Sequence, residues 1–352
     1  MKKRLSLLLV ALLSLSMVAC SSKNATTEES TSTQAVETTE ETAAAEEEAA
    51  FPVTVTDQVG REVTIEEEPQ TLVSGYYIST SLLIALGQED KLVGIEAKAD
   101  SRPIYGLAAP ELLELPSVGT AKEFDLEGCA ALEPDLIILP AKLQDTIPAL
   151  EELGFPVLAV NPEDQALLDE AITLLGDATG AKEEAQALLD WNETALSDLA
   201  TKLEGAKTPS VLLTSNSAFL AAAGGEMYQN SLIEQAGGTN VASELTGNDW
   251  GEISYEQVLA WNPDVIVLAG EADYTVDDVL SDSNLAGVTA VENGAVYAMP
   301  GDYEAWDSPV PSGVLGTLYL ASVLHPDLYS TADFDTALTS FYETFYGFTP
   351  EA

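Results

Sequence analysis

The feature that most constrains the fold is a segment that occurs twice in the chain. Residues 125–139 align without gaps on residues 254–268, which lie 129 positions further along. The identical pairs are Glu127/Glu256, Ala131/Ala260, Pro134/Pro263, Asp135/Asp264, Ile137/Ile266 and Leu139/Leu268. In each copy a capping residue precedes a short helix, a proline ends the helix, and a buried strand follows. Two copies of one supersecondary unit predict two similar lobes.

Short apolar strands alternate with helical stretches along most of the chain. We predict a hairpin over residues 51–65, turning at residues 57–60, before this alternation begins. The predicted strands are 71–74, 92–96, 135–139, 157–160, 210–214, 265–268 and 295–299, with helices at 79–86 and 146–153. This alternation is typical of parallel α/β architecture. The predicted fold class is therefore α/β, with two Rossmann-like lobes.

A long helix is predicted between the two sets of strands. Residues 181–204 contain no Gly or Pro and carry an apolar stripe, and they would span about 36 Å as a helix. Such a helix could join the two lobes, or it could be an ordinary surface helix within one domain. We predict an N-terminal lobe at 51–180, an interlobe helix at 181–205 and a C-terminal lobe at 206–352, with a ligand cleft between the lobes.

The first fifty residues differ in composition from the rest of the chain. Residues 1–20 begin with three basic residues, continue as an apolar run and end in Met-Val-Ala-Cys, which is similar to a bacterial lipoprotein signal. Lipidation of Cys20 is expected, and ordinary cleavage beside a chance cysteine is the alternative. Residues 21–50 are rich in Thr, Ala, Ser and Glu and predict a disordered acidic tether. The expected location is extracytoplasmic, anchored by lipid to the cell membrane of a bacterium.

The charge and the rare residues exclude several classes of function. With 13 Lys+Arg against 59 Asp+Glu, the net charge is −46, which is unsuited to nucleic acid. There are two cysteines and one histidine, His325, so we predict no metal site. No hydrolase or phosphate-loop motif is present, so we predict no catalytic residues. Lys207 is the last Lys or Arg, so an anionic ligand would have to be held from the N-terminal lobe or by backbone N–H groups and hydroxyls.

Several short segments recur in a characteristic order and spacing: residues 82–87 ahead of 92–94, residues 118–119, both Pro-Asp repeats, residues 237–238, residues 306–316 and residues 324–326. Together they resemble the helical-backbone (class III) substrate-binding proteins of ABC importers. The resemblance implies a monomeric, non-enzymatic receptor that delivers an iron chelate (siderophore or haem) or a corrinoid to a permease dimer with ATPase subunits. It implies no cofactor apart from the metal of a bound chelate. A molybdate-like oxyanion and a non-transporting sensor or scaffold role remain as alternatives.

Candidate ligand-binding residues lie in loops expected beyond the carboxyl ends of the strands, where open α/β sheets bind ligands. They are Tyr76, Tyr77, Arg102, Lys122 and Lys142 in the N-terminal lobe, and Asn216, Met227, Tyr228, Trp250, Tyr303 and Trp306 in the C-terminal lobe. Aromatic rings suit a planar or greasy chelate, and cationic side chains suit its carboxylates. By resemblance, Glu127 and Glu256 would dock into arginines of the permease; the alternative is that they only stabilise their helix starts.

Overall fold

Two β-sheets covered by helices, and a separate two-stranded hairpin, lie within residues 51–351, the part of the chain that the computed structural model describes. The predicted signal peptide, Cys20 and the tether lie outside these residues. Within them, no helix is both long enough and apolar enough to cross a membrane.

The first sheet, with its helices, is called the N-lobe. Its elements are β1 Val53–Thr56, β2 Glu62–Ile65, β3 Leu72–Ser74, α1 Tyr77–Ala85, β4 Leu92–Gly94, α2 Pro103–Ala108, α3 Leu126–Ala130, β5 Leu136–Pro140, α4 Ile147–Glu152, β6 Val157–Val160 and α5 Gln165–Thr179. Strands β1 and β2 form the predicted antiparallel hairpin. The other four strands are parallel, in the order β4-β3-β5-β6.

A single helix, α6 (Lys182–Lys202), follows α5 and precedes the first strand of the second sheet. It packs against α5 of the N-lobe and also against the later helix Val314–Leu324. The ring of Trp191 lies edge-on to Phe341 with centroids 5.0 Å apart, and Lys202 pairs with Asp333 at 2.8 Å. The helix therefore contacts both halves of the molecule, while the exact lobe limits stay a prediction.

The second sheet and its helices form the C-lobe. Its elements are β7 Ser210–Thr214, β8 Ala221–Ala222, α7 Tyr228–Gln235, β9 Thr239–Asn240, β10 Gly251–Glu252, α8 Tyr255–Trp261, β11 Val265–Leu268, α9 Val276–Ser281, α10 Thr289–Glu292, β12 Val296–Ala298, α11 Val314–Leu324 and α12 Thr331–Phe345. The strand order is β10-β8-β7-β11-β12, with β9 beside β7. Strands β7, β9, β11 and β12 are parallel, β8 runs antiparallel to β7, and β10 runs antiparallel to β8. The predicted α/β fold with two lobes is confirmed.

The sequence repeat builds the same junction in each lobe. Asp125 and Ser254 cap α3 and α8 by accepting hydrogen bonds from backbone N–H groups of the first helical turn. The Asp of each Pro-Asp pair then ties its strand to a neighbour. Asp135 accepts from the backbone N–H groups of residues 70 and 71 at 2.9 Å each, and Asp264 accepts from the N–H of Ser210 at 2.9 Å. The repeated carboxylate thus fixes the starts of β3 and β7.

A buried carboxyl group joins the two lobes. Glu304, in the loop after β12, accepts hydrogen bonds from the hydroxyls of Ser81 on α1 and of Ser312. The Tyr346 hydroxyl lies 3.3 Å from Glu304 and 2.9 Å from the Ser81 hydroxyl. Because Ser81 belongs to the N-lobe and the other three residues belong to the C-lobe half, this network holds α1 against the C-lobe.

We predict that Ser81→Ala lowers the free energy of unfolding by about 1–3 kcal/mol, since one oxygen of buried Glu304 loses a donor. Urea unfolding followed by circular dichroism measures the change. Ser281→Ala, at an exposed position on α9, is the matched control and should change stability by less than about 0.5 kcal/mol. Equal effects of the two substitutions would contradict a stabilising role for the Glu304 network.

Candidate ligand-binding site

A cavity of about 250 Å³ lies between the two lobes. Its N-lobe wall includes Tyr77, the first residue of α1, and Arg102, which directly precedes α2. Its C-lobe wall includes Asn216, Trp250, Glu271, Tyr303 and Asp307. Most of these residues follow strands β3, β7, β11 and β12, so the cavity lies at the carboxyl ends of parallel strands, where such folds bind ligands.

A second cavity, of about 310 Å³, lies on the N-lobe side. It is lined by Tyr76, Glu96, Lys98, Lys142 and Glu163, and it shares Tyr77 and Arg102 with the first cavity. These two shared side chains therefore stand between the cavities and can contact a ligand in either one.

Arg102 is held over an aromatic ring. Its guanidinium carbon lies 4.3 Å from the centroid of the Tyr77 ring, within cation–π range, and Tyr76 lies edge-on to the same ring at 5.2 Å. Burial raises the pKa of both phenols, so each keeps its O–H at neutral pH. The resulting cluster offers one fixed cation and two neutral hydroxyls to a ligand.

On the opposite wall, Tyr303 is oriented by contacts behind the cavity. Its hydroxyl accepts a hydrogen bond from the backbone N–H of Glu351 at 2.8 Å and donates to the carbonyl of the same residue at 3.1 Å. Its ring also packs against Tyr342, with centroids 5.0 Å apart. Tyr303 therefore presents a ring face of fixed orientation rather than a mobile side chain.

Two buried carboxyl groups in the cavity walls are already provided with hydrogen-bond donors. Glu96 accepts from Thr80 and from Tyr105, each at 2.7 Å, and Glu304 accepts from the interlobe network described above. Burial raises the pKa of both carboxyls, and these hydrogen bonds oppose the rise. Glu96 and Glu304 therefore serve the scaffold beneath the site.

Asp307 differs from these two because its carboxylate has little internal support. The residue is only 5% exposed, and burial raises its pKa to about 6. The carboxylate accepts from the N–H of Gly270 at the long distance of 3.3 Å. Its backbone carbonyl accepts from Gln229 at 2.7 Å, which fixes the position of the residue in the wall. Asp307 was not among the sequence candidates, although it lies beside Trp306, which was.

The structure brings seven of the eleven predicted ligand-binding residues to the two cavities. Tyr77, Arg102, Asn216, Trp250 and Tyr303 line the cavity between the lobes, and Tyr76 and Lys142 line the N-lobe cavity. Lys122, Met227, Tyr228 and Trp306 line neither of them. Whether the seven bind a ligand stays a prediction.

The placement of Trp306 requires a correction. Its side chain is 2% exposed, its ring packs against Phe334, and its indole N–H donates to the hydroxyl of Tyr342 at 3.0 Å. Its aromatic surface therefore packs in the C-lobe core, and the prediction that it lines the cleft is wrong.

The other three residues away from the cavities have different surroundings. Tyr228 is 4% exposed, and its hydroxyl is packed so closely over Gly313 that a side chain there would collide with it. Met227 occupies the N-cap position of α7, and Lys122 is exposed in the loop before α3. Tyr228 is therefore a core residue and its predicted place in the cleft is wrong, whereas ligand contact by Met227 or Lys122 stays a prediction.

The proposed docking acids lie outside the cleft. Glu127 and Glu256 are exposed in the first turns of α3 and α8, the two helices of the repeat. Neither residue takes part in an ion pair among the described residues. Both carboxylates are thus accessible to another molecule.

Cys129 and His325 have structural surroundings. Burial raises the pKa of the Cys129 thiol to about 11, so it is a thiol and not a thiolate at neutral pH. A ring nitrogen of His325 lies 3.2 Å from the carbonyl of Gly237 at the end of α7. Within residues 51–351, no group of three or more His, Cys, Asp or Glu residues is arranged to hold a metal ion.

Comparisons with known proteins agree with this architecture. Residues 72–303 match the model of the periplasmic binding protein family. The chain is 26% identical to the molybdate-binding protein MolA of Haemophilus influenzae, over 83% of this chain and 90% of MolA. It is 27% identical to the ABC transporter substrate-binding lipoprotein YvrC of Bacillus subtilis, over 79% and 87%. A crystal structure of a periplasmic solute binding protein from Veillonella parvula superimposes with a TM-score of 0.75 at 26% identity, covering 85% of this chain and 94% of that one.

The raised pKa of Asp307 predicts a pH-dependent stability. An aspartate has an ordinary pKa of about 3.9, so the folded state binds this proton more tightly than the unfolded state does. The resulting stabilisation is complete below about pH 4 and is lost as the pH rises through about 6. At about 1.4 kcal/mol per pKa unit, it amounts to at most about 3 kcal/mol.

Asp307→Asn should remove this dependence, so the variant gains stability relative to the wild type as the pH rises from about 4 to 7. Urea unfolding at several pH values measures the difference. Asp302→Asn is the control, because Asp302 is an exposed residue of the same loop. A difference between Asp307→Asn and the wild type that stays constant with pH would show that Asp307 does not titrate in this range.

Proposed function

Because the chain belongs to the periplasmic binding protein family, we propose that it is the extracytoplasmic solute receptor of an ABC importer, with its ligand in the cavity between the lobes. The family consists of solute-binding proteins, which are transport components and not enzymes. The receptor binds one small ligand and delivers it to a permease dimer with ATPase subunits. We expect it to act as a monomer.

The observation that carries this proposal is a cavity whose walls come from both lobes. Tyr77 and Arg102 face it from the N-lobe, and Trp250 and Tyr303 face it from the C-lobe. A ligand placed there contacts both lobes at once. Its binding can therefore favour one relative position of the lobes, which another protein can recognise. Ring faces together with a fixed guanidinium suit a chelate that has flat apolar surface and an anionic group.

The proposed ligand class is a metal chelate, such as an iron siderophore, haem or a corrinoid. Any metal arrives inside the chelate, which is consistent with the small number of soft or imidazole ligands in the sequence. The similarity to MolA, which is named for molybdate binding, favours an oxyanion as the second candidate. A sensor or scaffold role without transport is the third candidate. If uptake is lost in the docking variant described below, the wild type takes part in transport, which argues against this role.

Attachment to the membrane through Cys20 is part of the proposal. The Met-Val-Ala-Cys sequence supports it, as does the similarity to YvrC, which is named as a lipoprotein. The acidic segment 21–50 would then serve as a spacer between the lipid anchor and the folded lobes. Mass spectrometry of the membrane fraction would detect a diacylated Cys20 at the new N-terminus.

We predict that Arg102→Ala weakens ligand binding by about 1.5–3 kcal/mol, which is about tenfold or more, because a charge-assisted hydrogen bond to the anionic group is lost. The ligand is first identified by native mass spectrometry of protein purified from its own host, and its affinity is then measured by calorimetry. Lys182→Ala is the control, because Lys182 is an exposed cation at the start of α6, outside both cavities. An affinity that is the same for both variants would contradict the placement of the ligand beside Arg102.

Docking to the permease is assigned to Glu127 and Glu256. Because the sequence repeat places them at equivalent positions of the two lobes, one acid per lobe can meet a basic residue on each permease subunit. Exposed single charges contribute little to folding. We therefore predict that Glu127→Ala/Glu256→Ala keeps stability and ligand affinity but abolishes uptake and ligand-stimulated ATPase activity in proteoliposomes.

Glu111→Ala/Glu292→Ala is the matched control for this experiment. It removes one exposed acid from the first turn of a short helix in each lobe, outside the repeat. The control should transport normally. Normal transport by Glu127→Ala/Glu256→Ala would mean that these two acids only stabilise their helices.

A further inference from the structure

Asp307 has the incomplete hydrogen bonding expected of a group that awaits a ligand. An ionised carboxylate has two oxygens that accept about four hydrogen bonds. Among residues 51–351, the Asp307 side chain receives one hydrogen bond from another residue, at 3.3 Å from the backbone of Gly270. Burying a charge with so few donors is unfavourable. The neighbouring buried acids Glu96 and Glu304 each have two or more donors, so the shortage is particular to Asp307.

The wall around Asp307 has no cation of its own. Residues 208–352 contain neither Lys nor Arg, so every charged residue that the C-lobe contributes to the cavity is an acid. Glu271, on the same wall, is exposed and adds a second negative charge near Asp307. This wall therefore repels anions and attracts cations and N–H donors.

The cations are gathered on the opposite side of the cleft. Arg102 is the charged residue that the N-lobe contributes to the cavity between the lobes, and Lys98 and Lys142 line the second cavity together with Glu96 and Glu163. Across the cavity between the lobes, the acids of the C-lobe wall thus face the guanidinium of Arg102 on the N-lobe wall. A ligand that fits such a cleft without leaving either wall unpaired has charges of both signs.

We propose that Asp307 binds a positively charged or N–H-donating group of the ligand, while Arg102 binds its anionic group. This inference rests on the proposed function and names the substrate class: a dipolar metal chelate with amine or ammonium groups at one end and a carboxylate-type group at the other. Compact polyanions, including molybdate, are poor ligands for this cleft, because they would bring negative charge against Asp307 and Glu271.

Calorimetry with two compact inorganic probes tests the proposal at physiological salt. Hexaamminecobalt(III) is an inert cation whose surface consists of N–H donors, and molybdate is a small anion. We expect the wild type to bind the cation more tightly than molybdate. Asp307→Asn should weaken the binding of the cation at least tenfold, whereas Asp302→Asn, which removes the same charge from the exposed surface, should change it less than twofold.

A second measurement reads the potential of the cavity without requiring a ligand that fits. Trp250 lines the cavity, so its fluorescence, obtained as the difference between the wild type and Trp250→Phe, reports which small ions enter. Caesium should quench it more strongly than iodide, with acrylamide as the neutral reference. Asp307→Asn should reduce the excess quenching by caesium, and Asp302→Asn should leave it unchanged.

Three outcomes would overturn the proposal: tighter binding of molybdate than of the cobalt complex, equal affinity of Asp307→Asn and the wild type for the cobalt complex, or stronger quenching of Trp250 by iodide. Circular dichroism confirms that each variant is folded before it is titrated. These measurements do not involve the permease. A protein that fails them and still drives uptake keeps the proposed function with another substrate class, and one that passes them without driving uptake loses the proposed function alone.

Discussion

The shape of the cleft depends on a carboxyl group that is buried where the two lobes meet. Glu304 takes a donor from Ser81 on one side and donors from the C-lobe half on the other, and separating the lobes would remove the Ser81 donor from this buried carboxyl. Ser81 lies one helical turn after Tyr77, and Glu304 directly follows Tyr303. The same contact that joins the lobes therefore sets the separation of two aromatic walls of the cavity.

The three buried acids near the cavity show how a structural group can be distinguished from a binding group. Glu96 and Glu304 are each surrounded by hydroxyl donors from the protein, so their desolvation is offset within the fold. Asp307 is equally buried but has only backbone donors, a long contact from Gly270 and its own N–H group. Neither the degree of burial nor the direction of the pKa change distinguishes a structural acid from a binding acid, since burial raises the pKa of all three carboxyls. What distinguishes Asp307 from Glu96 and Glu304 is the number of hydrogen-bond donors around its carboxylate.

The sequence was informative where the signal is local and less so where it depends on packing. Strands β6, β7 and β11 coincide with the predicted runs, because buried parallel strands are continuous apolar stretches. Trp306 could not be placed in this way. Its loop has the aromatic and Pro-rich composition of a ligand-binding segment. The ring is buried because it packs against Phe334 and donates a hydrogen bond to Tyr342, both on the later helix α12. Asp307 had no distinguishing signal among 59 acidic residues, since its isolation from donors arises only in the folded chain.

The contacts of α6 limit how the receptor can signal that it is loaded. The helix is continuous from Lys182 to Lys202 and packs on α5 and α11, so a wide swing of the lobes would have to bend it or pull it from one of them. Empty and filled receptors would then have almost the same outline, and both could reach the transporter. Discrimination between them would depend on small differences in shape at the rim of the cleft, and an empty receptor would compete with a loaded one for the same docking surface.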